Sequence, residues 1–169
     1  MKTIKTLLIA AAMFLGANQA MQAQAKVAHI NVQELMTTMP EMKAAQTQLQ
    51  KLGESYDKDY AAMVTEYQTK MQKYEAEAKG VTEAVNQTRM KEMQDMGQRI
   101  QAYQQNAEKE LGQKQQDLMK PIMDKAQAAI QKVAKAKGYQ YVLDATIGSG
   151  VVVADGPNLF NDVKKELGF

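Results

Sequence analysis

The chain is 169 residues long, with 21 Lys and Arg, 19 Asp and Glu, one His, and neither Cys nor Trp. Lacking Cys, it can form no disulfide, thiolate metal site, cysteine nucleophile or lipoprotein anchor, and a single His excludes most metal and triad arrangements. Residues 1–25 hold Lys2 and Lys5 and no acid, so residues 26–169 balance 19 basic against 19 acidic groups, a poor match to a nucleic-acid backbone.

Residues 1–25 read as an export signal. Lys2 and Lys5 form a positive start, Leu7 to Leu15 a short apolar run, and Ala23-Gln24-Ala25 a small-x-small cleavage site, with Lys26 as the expected first residue of the mature chain. Cleavage after Ala20 is the weaker alternative. An uncleaved anchor would need an apolar run of ~20 residues, and neither this segment nor any later one reaches that length. An exported protein without stable membrane insertion is expected.

Val27 to Val32 reads as a strand. Asn31, with Glu34 three residues on, is a helix cap, so a short helix should follow. Thr38 repeats the device with Glu41, and Pro40 fits a first helical turn, so a long helix should start near Met39. Its apolar positions are Leu49, Leu52, Tyr56, Tyr60, Met63, Tyr67, Met71, Tyr74 and Ala78. They recur every 3 or 4 residues with a mean of about 3.6, the period of a nearly straight helix.

Gly80 interrupts this stripe, and Thr82 or Asn86 can cap a second helix. A second stripe of the same mean period runs through Met93, Met96, Ile100, Tyr103, Ala107, Leu111, Lys114, Leu118 and Ile122. Two helices of matched period joined by a short turn predict an antiparallel hairpin arm over 44–117. One continuous helix in a parallel bundle is the competing arrangement, disfavoured by Gly80 and the low apolar content of 79–89. The second helix continues past Pro121, where the arm should enter the body, to Lys137-Gly138.

Residues 139–144 read as a second strand, Ile147 to Gly150 as a turn, and Val151 to Ala154 as a third strand; Asn158 should cap a last helix that buries Leu159, Val163 and Leu167. The fold expected is mostly α with a small β-rich body, formed discontinuously by 26–43 and 118–169. About 70 residues with three short strands leave open edges and a marginal core. The body should therefore associate with further copies, through Ile30, Val32, Val142, Val151, Val152 and Val153.

No constellation points to catalysis, a metal or a cofactor. His29 lies in a strand. Asp144 and Asp155 flank a turn and suit capping better than acid–base work. Gly148-Ser149-Gly150 is too short for a phosphate loop and lacks its Lys. Lys132, Lys135 and Lys137 suit the negative end of a helix better than an anion site. Off the stripes, Val64, Val81 and Val85 are the clearest apolar residues free to face a partner.

In the order and spacing of its pieces, the chain resembles the OmpH/Skp family of periplasmic chaperones over nearly all of 26–169. The pieces are Val27 to Val32, the Gln-rich and charged helical middle, Pro121-Ile122 through Val133-Ala134, Gly138 to Asp144, and Asn158-Leu159 with Val163. The resemblance implies a homotrimer whose β-rich body holds three helical arms around a cavity for unfolded outer-membrane β-barrel proteins, working without ATP. A coiled-coil spacer or adaptor of the envelope is the alternative; it should carry one continuous stripe and no β body. A prefoldin-like cytosolic holdase conflicts with the export signal. Mass spectrometry of the exported protein should find its N-terminus at Lys26, whereas a full-length, membrane-retained chain would overturn the signal reading.

Overall fold

The computed structural model describes residues 25–169. The expected signal lies outside them except for Ala25, which is exposed and irregular like Lys26. The elements in order are β1 (Val27–Ile30), α1 (Val32–Thr38), α2 (Pro40–Glu77), a 3-10 turn (Ala78–Gly80), α3 (Glu83–Lys137), β2 (Tyr141–Asp144) and α4 (Phe160–Leu167).

Asn31 caps α1 as its sequence predicts, its side chain accepting from the Glu34 N–H at 2.9 Å. The start of α2 differs. Its cap residue is Met39, with φ −65° and ψ 130° and no side-chain capping bond, while the Thr38 hydroxyl donates back to the Leu35 carbonyl at 2.7 Å. The reason is Pro40: its ring keeps the preceding residue out of the helical region, so the break falls on Met39. The Met39 side chain turns into the core instead and is fully buried.

α2 has 38 residues and α3 has 55. They run side by side in opposite directions. Tyr56 meets Tyr103 edge-on with ring centroids 6.2 Å apart and donates its hydroxyl to Glu110. Further out, Tyr74 reaches Glu92 and Glu77 reaches Arg89. At the turn, Thr82 rather than Asn86 caps α3, and the Asn86 amide donates to the Ala78 carbonyl at 3.0 Å, stitching the two helix ends together. Gly80 is not a left-handed cap; the chain leaves α2 through the 3-10 turn and extends at Val81.

α3 runs through Pro121 without interruption, and the next residue, Ile122, is buried. From there Ala126, Ala129 and Val133 line one face, packed against Ala28 and Ile30 of β1, Leu35 and Met36 of α1, and Leu159 and Val163 at α4. The small alanines let the helix lie close to the other elements. Gly138 ends α3 in the left-handed region, φ 72°, with the Tyr139 N–H returning to the Ala134 carbonyl at 2.9 Å.

β1 pairs in parallel with β2, Val27 opposite Tyr141 and Ile30 opposite Asp144. On the other edge of β1, His29 donates its N–H to the Pro157 carbonyl and accepts from the Leu159 N–H, both at 2.9 Å. β1 is thus central, and β2 keeps an unpaired edge among the described residues. The expected third strand at 151–154 is not formed. These residues carry the chain from the β2 side to the far edge of β1, so they have no neighbour along which to pair.

The Asp144 carboxylate pins the ends of the sheet. It accepts from the Val32 N–H at 3.2 Å, the Thr146 N–H at 2.9 Å and the Thr146 hydroxyl at 2.6 Å. Burial pushes its pKa up, but the Thr146 and Val32 donors outweigh that and hold it below the ordinary 3.8. A depressed carboxylate stabilises the fold above its unfolded value, and this contribution fades as pH falls through the lower folded value. Urea unfolding should therefore show stability falling below about pH 4, with Asp144→Asn losing part of that slope. At fixed protein concentration, Gly138→Ala should destabilise by about 1 kcal/mol from backbone strain alone, since a Cβ there meets nothing within 4 Å. Gly112→Ala, equally unobstructed but inside a helix, should stabilise by about 0.5–1 kcal/mol.

Candidate interaction surfaces

Two surfaces remain once the core and the helix seam are assigned. The first lies on the body. β2 alternates: Tyr141 and Leu143 are exposed, while Val142 packs toward the core beside a groove lined by Ile30, Val32, Ile130 and Tyr139. Beyond β2, Gly148 and Gly150 adopt φ of 90° and 94°, and the Ser149 hydroxyl bonds back to the Asp144 carbonyl at 2.5 Å. This tight turn pushes Ile147 out to 97% exposure, and Val152 behind it is 95% exposed. β-Branched side chains left this open, beside an unpaired strand edge, form a surface suited to burial against another chain.

Of the residues expected to join copies, Val152 and Val153 are exposed, while Val32, Val142 and Val151 are half-buried. Ile30 differs. It is 1% exposed and belongs to this chain's own core, because it faces α3 from the central strand. Ile147 gives no signal in the sequence, since a lone apolar residue in a turn carries no periodicity.

The second surface is the helix pair, whose two sides differ. One side is ionic: Lys70 bridges Glu66 at 3.4 Å and Glu92 at 2.5 Å, Arg89 pairs with Glu77, and the Arg89 guanidinium lies 4.5 Å from the Tyr74 ring centre. The Lys70 ammonium, with a further hydrogen bond from Tyr74, holds the Glu92 carboxyl below the usual range; Glu92 in turn raises Lys70 and Tyr74. The other side carries the exposed apolar residues Tyr60, Met71 and Met90, with the exposed Gln68 and Glu75 among them. Among the residues expected to face a partner, Val85 is exposed and Val64 and Val81 are half-buried.

On α2 two positions of the expected stripe, Tyr60 and Met71, lie exposed beside the seam rather than in it. All nine positions of the second stripe are buried or half-buried, but on α2 the seam takes Lys70, and Met71 turns outward. Period counting favoured the apolar residue of an adjacent pair. The complementary charges of Glu66, Lys70 and Glu77 against Arg89 and Glu92 were the signal that could have corrected it.

The lysines near the end of α3 are largely engaged within the chain: Lys132 pairs with Glu166, Lys137 with Asp162, and Lys125 with Glu41 on α2. Asp144 is held ionised by its donors and acts as a structural pin. Among the described residues no group of three or more His, Cys, Asp or Glu is placed to hold a metal ion. No helix among them is long and apolar enough to cross a membrane.

A family model described as Outer membrane protein (OmpH-like) matches residues 26–167. The Chaperone protein Skp of Yersinia enterocolitica is 28% identical over 159 residues, covering 90% of this chain and 92% of that protein. The Chaperone protein Skp of Pectobacterium atrosepticum is 24% identical over 153 residues, with the same two coverages. A solved structure of an OmpH-like protein from Caulobacter crescentus CB15 matches with a TM-score of 0.77 at 16% identity, over 86% of this chain and 85% of that one, a likeness of fold. With residues 26–167 matched by the family model, the chain belongs to the OmpH-like outer membrane protein family.

Proposed function

We propose that this protein is an ATP-independent holdase of the periplasm that keeps unfolded outer-membrane proteins soluble. The observation that carries the reading is the pairing of two surfaces on one chain: a long helix hairpin with exposed apolar residues along one side, rooted in a body that leaves a strand edge and several β-branched residues uncovered. The named relatives, both chaperones, support it.

In this reading residues 1–25 are the export signal, 26–43 and 118–169 the body, and 44–117 the arm. Three bodies associate through Val32, Val142, Val151, Val152 and Val153, joined by Ile147, and the unpaired edge of β2 finds its neighbour there. The three arms then enclose a cavity. An unfolded barrel strand alternates apolar and polar side chains and aggregates in water. Tyr60, Val64, Met71, Val81, Val85 and Met90 offer it contacts that are individually weak. Many of them in one enclosed volume hold the client without trapping it, and polarizable Met adapts to varied sequences.

The test separates assembly from holding. A variant with most of 44–117 replaced by a short linker should remain trimeric by mass measurement and lose protection of a diluted barrel protein in light scattering without ATP. Val152→Asp should do the reverse, keeping helical arms but dissociating, so that protection falls steeply at low protein concentration. An armless body that protects as well as the intact protein would sink the cavity mechanism.

A further inference from the structure

With no Cys in the chain, the thioether of Met is its readily oxidised sulfur. Of the methionines of 26–169, Met63, Met93 and Met119 are half-buried and Met123 is exposed on the body, and the other six divide in two. Met36, Met39 and Met42 in the body core and Met96 between the helices are buried. Met71 and Met90 stand clear of the hairpin at 44% and 68% exposure.

These two share one side of it. Lys70 and Glu92 touch, so each marks the same flank of the seam on its own helix. Met71 lies one residue, about 100° of turn, from Lys70. Met90 lies two residues from Glu92, about 160° by the shorter way round. Both therefore stand on the opposite flank, in the row that Tyr60 and Val64 continue along α2. The ionic side offers nothing comparable to a two-electron oxidant, because its groups are ammonium, guanidinium and carboxylate.

We infer that Met71 and Met90 are oxidation sites through which hypochlorous acid or a peroxide turns down apolar contact by this side of the arm. The functional half of this inference rests on the holdase reading above. In the step, the thioether sulfur attacks the oxygen of hypochlorous acid. The S–O bond forms as the O–Cl bond breaks, chloride leaves, and the hydroxyl proton passes to water. Sulfur is oxidised by two electrons and chlorine reduced by two. The product sulfoxide is polar, so the arm loses two adaptable apolar contacts while the fold, whose core methionines Met36, Met39, Met42 and Met96 are buried, stays intact.

The experiment treats the full mature protein with limiting hypochlorous acid and maps oxidation by peptide mass spectrometry. Met71, Met90 and the exposed Met123, which lies on the body portion of α3, should become sulfoxides well before Met36, Met39, Met42 and Met96. Helix content by circular dichroism should be unchanged. The chaperone concentration needed for half-protection of a diluted barrel protein should rise about fivefold. A Met71→Leu/Met90→Leu variant should keep its own untreated level of protection after the same treatment, whereas Met123→Leu should lose protection as wild type does. Uniform oxidation of buried and exposed methionines, or equal loss of protection in the double Leu variant, would overturn the inference. An untreated protein that fails to protect would overturn the holdase reading instead, while the selectivity of oxidation still decides this one.

Discussion

The parallel pairing of β1 with β2 is the contact on which the rest depends. It joins segments more than a hundred residues apart; the Lys26 N–H reaches the Gln140 side chain across 114 positions. Two parallel strands oblige the connecting chain to return to the end where it began. Here the connection is not a compact crossover but a pair of helices that run out and back. The return helix is the longer, 55 residues against 38, because after meeting α2 it must also travel the length of the sheet before β2 can start. That final stretch is where the buried face from Ile122 to Ala134 lies. One helix is therefore both half of the hairpin and the lid of the core, which ties the placement of the arm to the integrity of the body.

The body so formed is stable only within limits. Its core joins a central strand, the ends of three helices and the short α4, clamped by the Lys132–Glu166 and Lys137–Asp162 pairs. These pairs are partly exposed and contribute little by themselves. The sheet has two strands, one with an open edge, and exposed Val and Ile lie next to it. Without Cys there is no covalent reinforcement. In the proposed reading, association with other copies covers this surface.

The hairpin solves a different problem. Its length gives many positions with little core to support each, so its seam uses tyrosines that bond across to carboxylates and a Lys70–Glu92 bridge as well as apolar packing. Placing the charges on one side fixes register and keeps the hairpin soluble. The opposite side leaves Tyr60, Met71 and Met90 exposed, and these are the residues through which the proposed holdase would make weak, adaptable contacts.

Much of this was legible in the residues. Helix formers, caps and stripe period determined that two long helices would pair, where the turn would fall, and that Leu159 and Val163 would be buried, because these follow from local propensity and from a repeat matching 3.6 residues per turn. The Cys count and charge balance likewise bounded the chemistry from sequence alone. Tertiary structure decided the rest. Val151 to Ala154 has the composition of a strand, yet strandhood needs a hydrogen-bonding neighbour, and the route to the far edge of β1 denies it one within the chain. Ile30 and Val152 look alike in sequence; only the placement of α3 against the sheet buries the first and leaves the second open. Thr38 has the chemistry of a cap, but the steric demand of Pro40 moved the break to Met39. Lys70 and Met71 compete for the seam, and a charge on the facing helix, 22 residues away in the chain, settled which one turned inward.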